Sequence, residues 1–379
     1  MTAITLIATA TFGLEALVKR EVAALGFEIT HVSEGRVEFT AVPADIPRAN
    51  LWLRCADRVL VKIGEFTAKT FDDLFEQTRQ LPWEAWIDAN GRFPVTAKTH
   101  KSQLQSGRSC QSIVNKAVAT RLQDAYLTKT LPETGAHFAI QVALFKDVAL
   151  LTLDTSGDGL HKRGYRAEAG EAPLKENMAA ALVLLSFWNR ERLLLDPLCG
   201  SGTILIEAAL IARNIAPGLN RSFAAEKWTA VPAEAWKEAR EEAKAAQNWE
   251  GELQLEGSDS EPSVIEIAKL NAVKAGVGDD IAFATKSLKN VWIDQQHGIL
   301  ITNPPYGLRL ADYQAVNQLY INLHQMFRKK MGWSVYVLTA DAHFPRYFKR
   351  ARPDRVRKLY NGNIKVNYYQ YYGEKPPLE

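Results

Sequence analysis

Apolar residues alternate between two periods along the chain, and each period predicts a different element. Residues 4–10 (ITLIATA) read as a strand. Leu14, Leu17, Val18, Val22 and Leu25 then fall at helical spacing over residues 14–25. Residues 27–40 give two short strands, FEITHV and RVEFTA, turned at Glu34-Gly35. Asp45 to Ala56 reads as a helix with Ile46, Ala49, Leu53 and Ala56 on one side, and RVLVKIGEF (58–66) returns to strand. The order β-α-β-β-α-β predicts a ferredoxin-like domain over residues 1–66. A second unit follows over 67–156: a helix at 71–80 closed by Leu81-Pro82, a strand PVTAKTH (94–100) and a long amphipathic helix at 109–126. HFAIQVAL and VALLTLDTSG complete it as a hairpin turned near Lys146-Asp147, and Gly157, Asp158 and Gly159 suggest a boundary.

From residue 160 to 379 strands and helices alternate. The strands are LLLDPL (193–198), ELQLEGSD (252–259), IAFAT (281–285), GILITNPP (298–305) and WSVYVLT (333–339). Helices are expected from Thr203, at 261–275 and at 313–331. Such alternation predicts an α/β, Rossmann-like domain with a mostly parallel sheet and helices on both faces. The tail KVNYYQYY (365–372) is expected to add an antiparallel last strand. Residues 214–250 read as an insertion after the domain's first helix.

Composition narrows the classes. A length of 379 residues is too great for one ordinary domain, and 47% hydrophobic with 23% charged residues can build real cores. A net charge of +3 permits nucleic-acid binding without requiring it. Cys55, Cys110 and Cys199 have no paired spacing, and His100, His161, His297, His324 and His343 form no ligand cluster, so neither disulfides nor a metal are expected. The first residues lack a basic start and are interrupted by Glu15 and Glu21, unlike a signal peptide. No run approaches the ~20 apolar residues that span a bilayer. A cytoplasmic location is expected.

Three constellations carry chemistry. Asp196-Pro197-Leu198-Cys199-Gly200-Ser201-Gly202-Thr203 follows an apolar strand and opens an apolar helix. A Gly-x-Gly turn lets backbone approach a ligand, although an ordinary strand-turn-helix corner has the same look. An acid at its start suits an amino-bearing or cationic ligand better than a pyrophosphate. Asp259, after the second strand, can accept hydrogen bonds from ribose hydroxyls or cap a helix; Asp259 serving a ribose while Ser260 caps reconciles the two. Asn303-Pro304-Pro305-Tyr306-Gly307 ends the strand GILIT. An exocyclic amine is a poor nucleophile because its lone pair is delocalised into the base. The Asn303 oxygen and the Pro304 carbonyl can accept its two hydrogens and draw it toward tetrahedral geometry. The ring of Tyr306 can stack on the base.

In these motifs, residues 160–379 resemble a class I methyltransferase of the amino-methylating branch. DPLCGSGT resembles its cofactor loop, Asp259 its ribose acid and NPPYG its catalytic loop. HKRGYR (161–166), APLKEN (172–177), NIAPGLNRSFAAEKW (214–228) and NAVKAGV (271–277) are similar to a narrower group, typified by the N-terminal half of the bifunctional bacterial 23S ribosomal RNA guanine-N2 methyltransferase and its stand-alone relatives. Archaeal tRNA guanine-N2 methyltransferases are similar. That resemblance implies a THUMP RNA-binding domain over 67–156, S-adenosylmethionine as cofactor, and cofactor contacts from Asp196, Leu198 to Thr203, Asp259, Ser260 and Asn303. It implies catalysis by Asn303, Pro304, Pro305 and Tyr306. Two departures stand out: Leu308, followed by Arg309 and Leu310, stands where a Glu usually follows NPPYG, and Lys286 and Ser287 stand near the place where many relatives have an adenine-contacting acid.

The basic stretch 96–116, with Lys98, Lys101, Arg108 and Lys116, reads either as a solvated face or as a phosphate-binding surface, and similarity to THUMP favours RNA. Lys162, Arg163 and Arg166 are expected to contact RNA or the cofactor carboxylate. Cys199 is read as a packing residue, since it lies in the cofactor loop and not beside the base. The expected activity is methyl transfer to an exocyclic base amine in RNA, guanine N2 of 23S ribosomal RNA first. Adenine-N6 methylation of DNA or RNA is the main rival, and a non-catalytic RNA-binding assembly factor the rival of another class.

Overall fold

The structure is a computed structural model that describes residues 2–166, 174–306, 313–350 and 352–375. The chain forms two compact units. Unit 1 comprises Met1–Ala10, Val18–Leu160 and Arg221–Glu242; unit 2 comprises Thr11–Leu17, His161–Asn220 and Ala243–Glu379.

The expected β-α-β-β-α-β order appears as β1 (Ile4–Ala10), α1 (Glu15–Ala24), β2 (Ile29–Ser33), β3 (Arg36–Ala41), α2 (Ile46–Trp52) and β4 (Ala56–Thr67). Then come α3 (Phe71–Gln80), β5 (Val95–His100), α4 (Gly107–Ala125), β6 (Ile140–Phe145) and β7 (Val148–Asp154). α3 starts at a reciprocal cap: Thr70 Oγ1 accepts the Asp73 N–H, and the Asp73 carboxylate accepts the Thr70 N–H. The β6–β7 turn falls at Lys146 and Asp147, whose φ values of 51° and 65° are those of a two-residue hairpin that keeps the strand twist. All these strands make one seven-stranded sheet, ordered β2-β3-β1-β4-β7-β6-β5. The strand that ends the ferredoxin-like motif, β4, pairs antiparallel with β7, the last strand of the next motif. The two motifs therefore share one sheet.

Unit 2 is built from α5 (Glu176–Leu184), β8 (Leu194–Asp196), α6 (Thr203–Ala212), β9 (Leu255–Asp259), α8 (Pro262–Lys274), β10 (Ala282–Thr285), β11 (His297–Thr302), α9 (Tyr313–Phe327), β12 (Gly332–Thr339), α10 (Phe344–Tyr347), β13 (Arg355–Asn361) and β14 (Ile364–Tyr371), with α7 (Ala233–Ala245) lying between α6 and β9 in the chain. Its sheet order is β10-β9-β8-β11-β12-β14-β13. β10 to β12 run parallel to β8, and β14 inserts antiparallel between β12 and β13. This is the expected mostly parallel, Rossmann-like sheet with an antiparallel last strand. One side is filled by Leu300, Tyr320, Leu323, Phe327, Trp333 and Val335.

Besides the single-turn α10, two elements of unit 2 were not anticipated. α5 is buried over eight of its nine residues, so ENMAAALVL shows no polar face to reveal a period. β13 (RVRKLYN) is an edge strand with mostly exposed charged residues and hides its alternation.

The insertion at 214–250 is structured, and its middle belongs to unit 1. Trp228, 2% exposed, stacks on Phe138 at 4.9 Å between ring centroids and meets Trp86 edge-on. Its indole N–H donates to the His137 carbonyl at 2.9 Å. Arg221 donates to the carbonyls of Gly159 and Asp158 at 2.6 and 2.7 Å.

Candidate active site

β8 lies between β9 and β11, so their carboxyl ends sit side by side at the edge where open α/β sheets bind ligands. β8 ends on Asp196, which is 2% exposed. Its Oδ1 accepts the Thr302 hydroxyl hydrogen at 2.7 Å and the Leu198 N–H at 3.2 Å. Burial pushes this carboxyl up from 3.8 to about 7; the two hydrogen bonds oppose the rise, and the nearby Asp259 charge adds to it.

β9 ends on Asp259. Its Oδ2 accepts the Gly200 N–H at 3.2 Å and its Oδ1 the Glu261 N–H at 3.1 Å. Each oxygen keeps a lone pair for a further donor. The cap expected of Ser260 is not made. Pro262 occupies the first turn of α8, which makes Glu261 the N-cap, and Ser260 is exposed beside it.

The loop between β8 and α6 is shaped by two glycines. Gly202 caps α6 at φ 78°, and a Cβ there would stand 2.8 Å from the Phe283 ring. Gly200, at φ 52°, has nothing within 4 Å of the Cβ direction, so this side of the loop is open. Ser201 Oγ and Thr203 Oγ1 are 3.2 Å apart, and the Asn271 amide holds the Ser201 carbonyl at 3.3 Å. Leu198 is half-buried. Cys199 is buried, and burial first, then the two carboxylates, pushes its thiol up, which disfavours a thiolate nucleophile.

β11 ends on Thr302, so the hydroxyl bound to Asp196 directly precedes Asn303. Asn303 Oδ1 is buried and has no hydrogen-bond partner among the described residues. The Tyr306 hydroxyl accepts from Asn361 Nδ2 at 3.4 Å and is also hydrogen-bonded to the Asn303 side chain; burial raises its pKa and these bonds oppose the rise. Pro304 is buried and Pro305 exposed. Gly307, Leu308, Arg309 and Leu310 lie outside the described residues. A buried amide oxygen left without a donor carries a desolvation penalty of about 1–3 kcal/mol, which a ligand N–H would relieve. The residues present therefore fit a cofactor with cationic and ribose groups beside an amine-bearing substrate. Lys286 is exposed, and its N–H donates to the Asp259 carbonyl at 2.9 Å.

The RNA contacts expected of Arg163 and Arg166 are corrected by the structure. Arg163 is 3% exposed and pairs with Glu207 at 3.5 Å. The Tyr165 hydroxyl donates to the same carboxylate at 3.2 Å. Arg166 lies 3.4 Å from Glu176 and donates to Thr203 Oγ1 at 3.0 Å and to the Leu174 carbonyl at 2.9 Å. These residues brace the first turn of α6 from behind. The signal for them was Glu207, a carboxylate inside the apolar run ILIEAALIA, which needs a buried cation. Lys162 is exposed.

In unit 1, Lys98, Lys101, Arg108 and Lys116 are all exposed. Lys98 lines a concave sheet surface with Thr96, Gln141 and Thr152, whereas Arg108 and Lys116 stand on α4. The basic stretch thus divides between a strand face and a helix. Among the described residues no group of three His, Cys, Asp or Glu side chains could hold a metal ion, and no helix is long and apolar enough to cross a membrane.

Comparison with known proteins covers nearly the whole chain. Residues 163–370 match the family described as RMKL-like, methyltransferase domain; residues 5–60 match the RlmL ferredoxin-like domain and residues 68–154 the THUMP domain. A Bacillus subtilis protein, YpsC, provisionally named an RNA methyltransferase, is 46% identical over 98% of this chain and 97% of its own. A Syntrophotalea carbinolica protein named ribosomal RNA large subunit methyltransferase K/L is 35% identical over 94% of this chain, which spans about half (52%) of that relative's length. Two solved structures superpose with a TM-score of 0.94. One, 47% identical over 99% of this chain and 97% of its own, is described as a predicted N6-adenine-specific DNA methylase from Listeria monocytogenes. The other, 42% identical over the full length of both chains, is the methyltransferase SMU.472, so named provisionally, complexed with SAH.

Proposed function

The chain belongs to the RMKL-like methyltransferase family, and from that premise we propose that it methylates the N2 amine of a guanine in large-subunit ribosomal RNA. Membership makes it an S-adenosylmethionine-dependent RNA methyltransferase. The observation that carries the reading of the site is the buried, unpartnered oxygen of Asn303 at the carboxyl end of β11. When bound, S-adenosylmethionine supplies an electrophilic methyl group on a sulfonium.

Asp196 and the α6 N-terminus would hold the charged end of that cofactor, and Asp259 its ribose hydroxyls, with Leu198 to Thr203, Ser260 and Asn303 lining it. Asn303 Oδ1 and the Pro304 carbonyl accept the two hydrogens of the target amine. Both interactions strengthen as the nitrogen becomes tetrahedral, so they favour the transition state over the ground state. The Tyr306 ring stacks on a base taken out of its helix, and Asn361 anchors that ring through its hydroxyl. The proton released goes to water. Lys98, Lys101, Arg108, Lys116 and Lys162 supply phosphate contacts.

The names of relatives divide over the nucleic acid: the K/L relatives are named for large-subunit ribosomal RNA, and one structural neighbour is described as a predicted N6-adenine-specific DNA methylase. Transfer from labelled cofactor to ribosomal RNA of a strain lacking the gene, followed by nucleoside analysis, separates them. N2-methylguanosine is the expected product. N6-methyladenosine would replace the guanine reading, and no product together with normal cofactor binding would leave an assembly factor.

A further inference from the structure

Unit 2 carries a second cleft away from the candidate active site. The segment 288–293 and the carboxyl end of α9 line a groove of about 540 Å³. Its walls include Lys289, Trp292, Arg328, Lys329 and Lys330. Trp292 is 84% exposed, the highest exposure of any described tryptophan, and its indole N–H is tethered to Asp294 at 2.6 Å. Lys289, Arg328 and Lys329 are exposed, and no ion pair joins any of the four cations to a described carboxylate. The positive field is felt next door. His324, on the preceding turn of α9, has its pKa lowered, by burial first and then by Arg328 and Lys349. Leu288 and Ile293 are buried beneath the groove, and the Trp292 indole stands in water beside them as an aromatic face open to a planar partner.

We propose that this groove binds the RNA substrate at a second point, its cations meeting phosphates and Trp292 stacking on an unpaired base. The inference rests on the reading of the enzyme as an RNA methyltransferase. The position suits it. The candidate catalytic loop follows β11 at the carboxyl edge of the sheet, whereas the groove lies at the opposite edge, where β11 and β12 begin. α9, with its 15 residues, runs between them, a rise of about 22 Å. That distance is beyond the nucleotide being modified and within reach of an RNA that continues several nucleotides past it. Phosphate contacts combined with aromatic stacking are how single-stranded nucleic acid is held without regard to sequence. Clustering of four cations around one exposed indole favours RNA over a protein partner, whose interface core would be depleted of lysine.

The test uses the full chain and compares wild type with Trp292→Ala and with Lys289→Ala/Lys329→Ala. Two RNA probes are used: an unmodified in vitro transcript of 23S ribosomal RNA, and a short oligoribonucleotide holding only the target base and its neighbours. Filter binding over a salt series gives the affinity for each RNA. On the long transcript the paired lysine variant should lower the slope of log affinity against log salt by about 0.7–0.9 per cation removed. Trp292→Ala should weaken binding by about tenfold with little change in slope. For both variants KM for the long transcript rises, kcat at saturating RNA stays within twofold, and SAH affinity and binding of the short probe are unchanged. Variants that bind and methylate the long transcript like wild type overturn the groove while leaving the enzyme's function intact. Loss of SAH binding alongside RNA binding also overturns it, since that marks damage to the fold. Wild type that neither binds nor methylates either RNA overturns the functional reading and the groove together.

Discussion

At the scale of single residues the site turns on two atoms whose surroundings are one-sided. Asn303 Oδ1 is buried without a donor, so Asn303→Ala is expected to lower single-turnover transfer about 10²–10³-fold, the usual loss for a positioned polar group that acts on developing charge. SAH affinity should stay within a few-fold, and calorimetry beside rapid-quench transfer separates the two effects. From sequence only the ring of Tyr306 has a role; in the structure its hydroxyl is hydrogen-bonded to Asn303 and Asn361, so Tyr306→Phe is expected to loosen the Asn303 amide. Asp196 is the second atom set. Its carboxyl titrates near 7 in the folded protein instead of 3.8. A group protonated more readily when folded stabilises fully below about pH 4, and that contribution is lost as pH rises through about 7. Above pH 7 the ionised carboxylate is held at a cost on the order of 4 kcal/mol, at about 1.4 kcal/mol per pH unit. A cationic ligand that uses the carboxylate recovers part of this. Cofactor affinity is therefore expected to rise between pH 5.5 and 8, with proton release near pH 6, and Asp196→Asn should flatten the profile. Calorimetry in two buffers of different ionisation enthalpy reads the released proton.

At the scale of elements, the turn from β8 into α6 distinguishes its two glycines. Gly200→Ala meets no atom and suffers only the positive φ, about 1 kcal/mol. Gly202→Ala adds a contact of 2.8 Å with the Phe283 ring and should lower Tm by several degrees more, with cofactor affinity falling in step; equal melting of the two variants would mean that Phe283 simply moves. Behind the same helix, Arg163→Leu should destabilise by about 3–5 kcal/mol by leaving the Glu207 carboxylate in the core, and adding Glu207→Leu should restore much of that loss in urea titrations. Sequence made the strands of the candidate site legible because each run stops at a polar motif: LLLD, ELQLEGSD and GILITN. It misassigned Arg163 and Arg166 because a basic hexapeptide looks alike whether its charges face water or buried acids. Glu207 is far from Arg163 in sequence, and nothing local reveals that pairing. Asn361 was missed for a related reason: it ends the edge strand β13, which carries no apolar alternation.

At the scale of the whole molecule, the segment 221–242 belongs to unit 1 although residues on both sides of it belong to unit 2. A fragment of residues 160–379 would carry Phe223, Trp228 and Trp236 without the Phe138 and Trp86 surfaces that Trp228 packs on. Each large side chain so exposed forfeits about 1.5–3 kcal/mol of burial. That fragment is expected to bind a hydrophobic dye and to associate in sedimentation runs, while a fragment that also lacks 221–242 should do neither; a monomeric, dye-negative longer fragment would show that the three rings find other cover. The same threading sets a timetable for synthesis. Leu160 completes the two N-terminal motifs, yet the ring that stacks on Phe138 is Trp228, and the segment of unit 1 that carries it runs on to Glu242. At 5–20 residues per second the ribosome needs on the order of 4–16 s to make the intervening stretch of roughly 80 residues. Through that interval the nascent N-terminal half waits with an open seam, so the protein matures as one piece and not domain by domain from the ribosome.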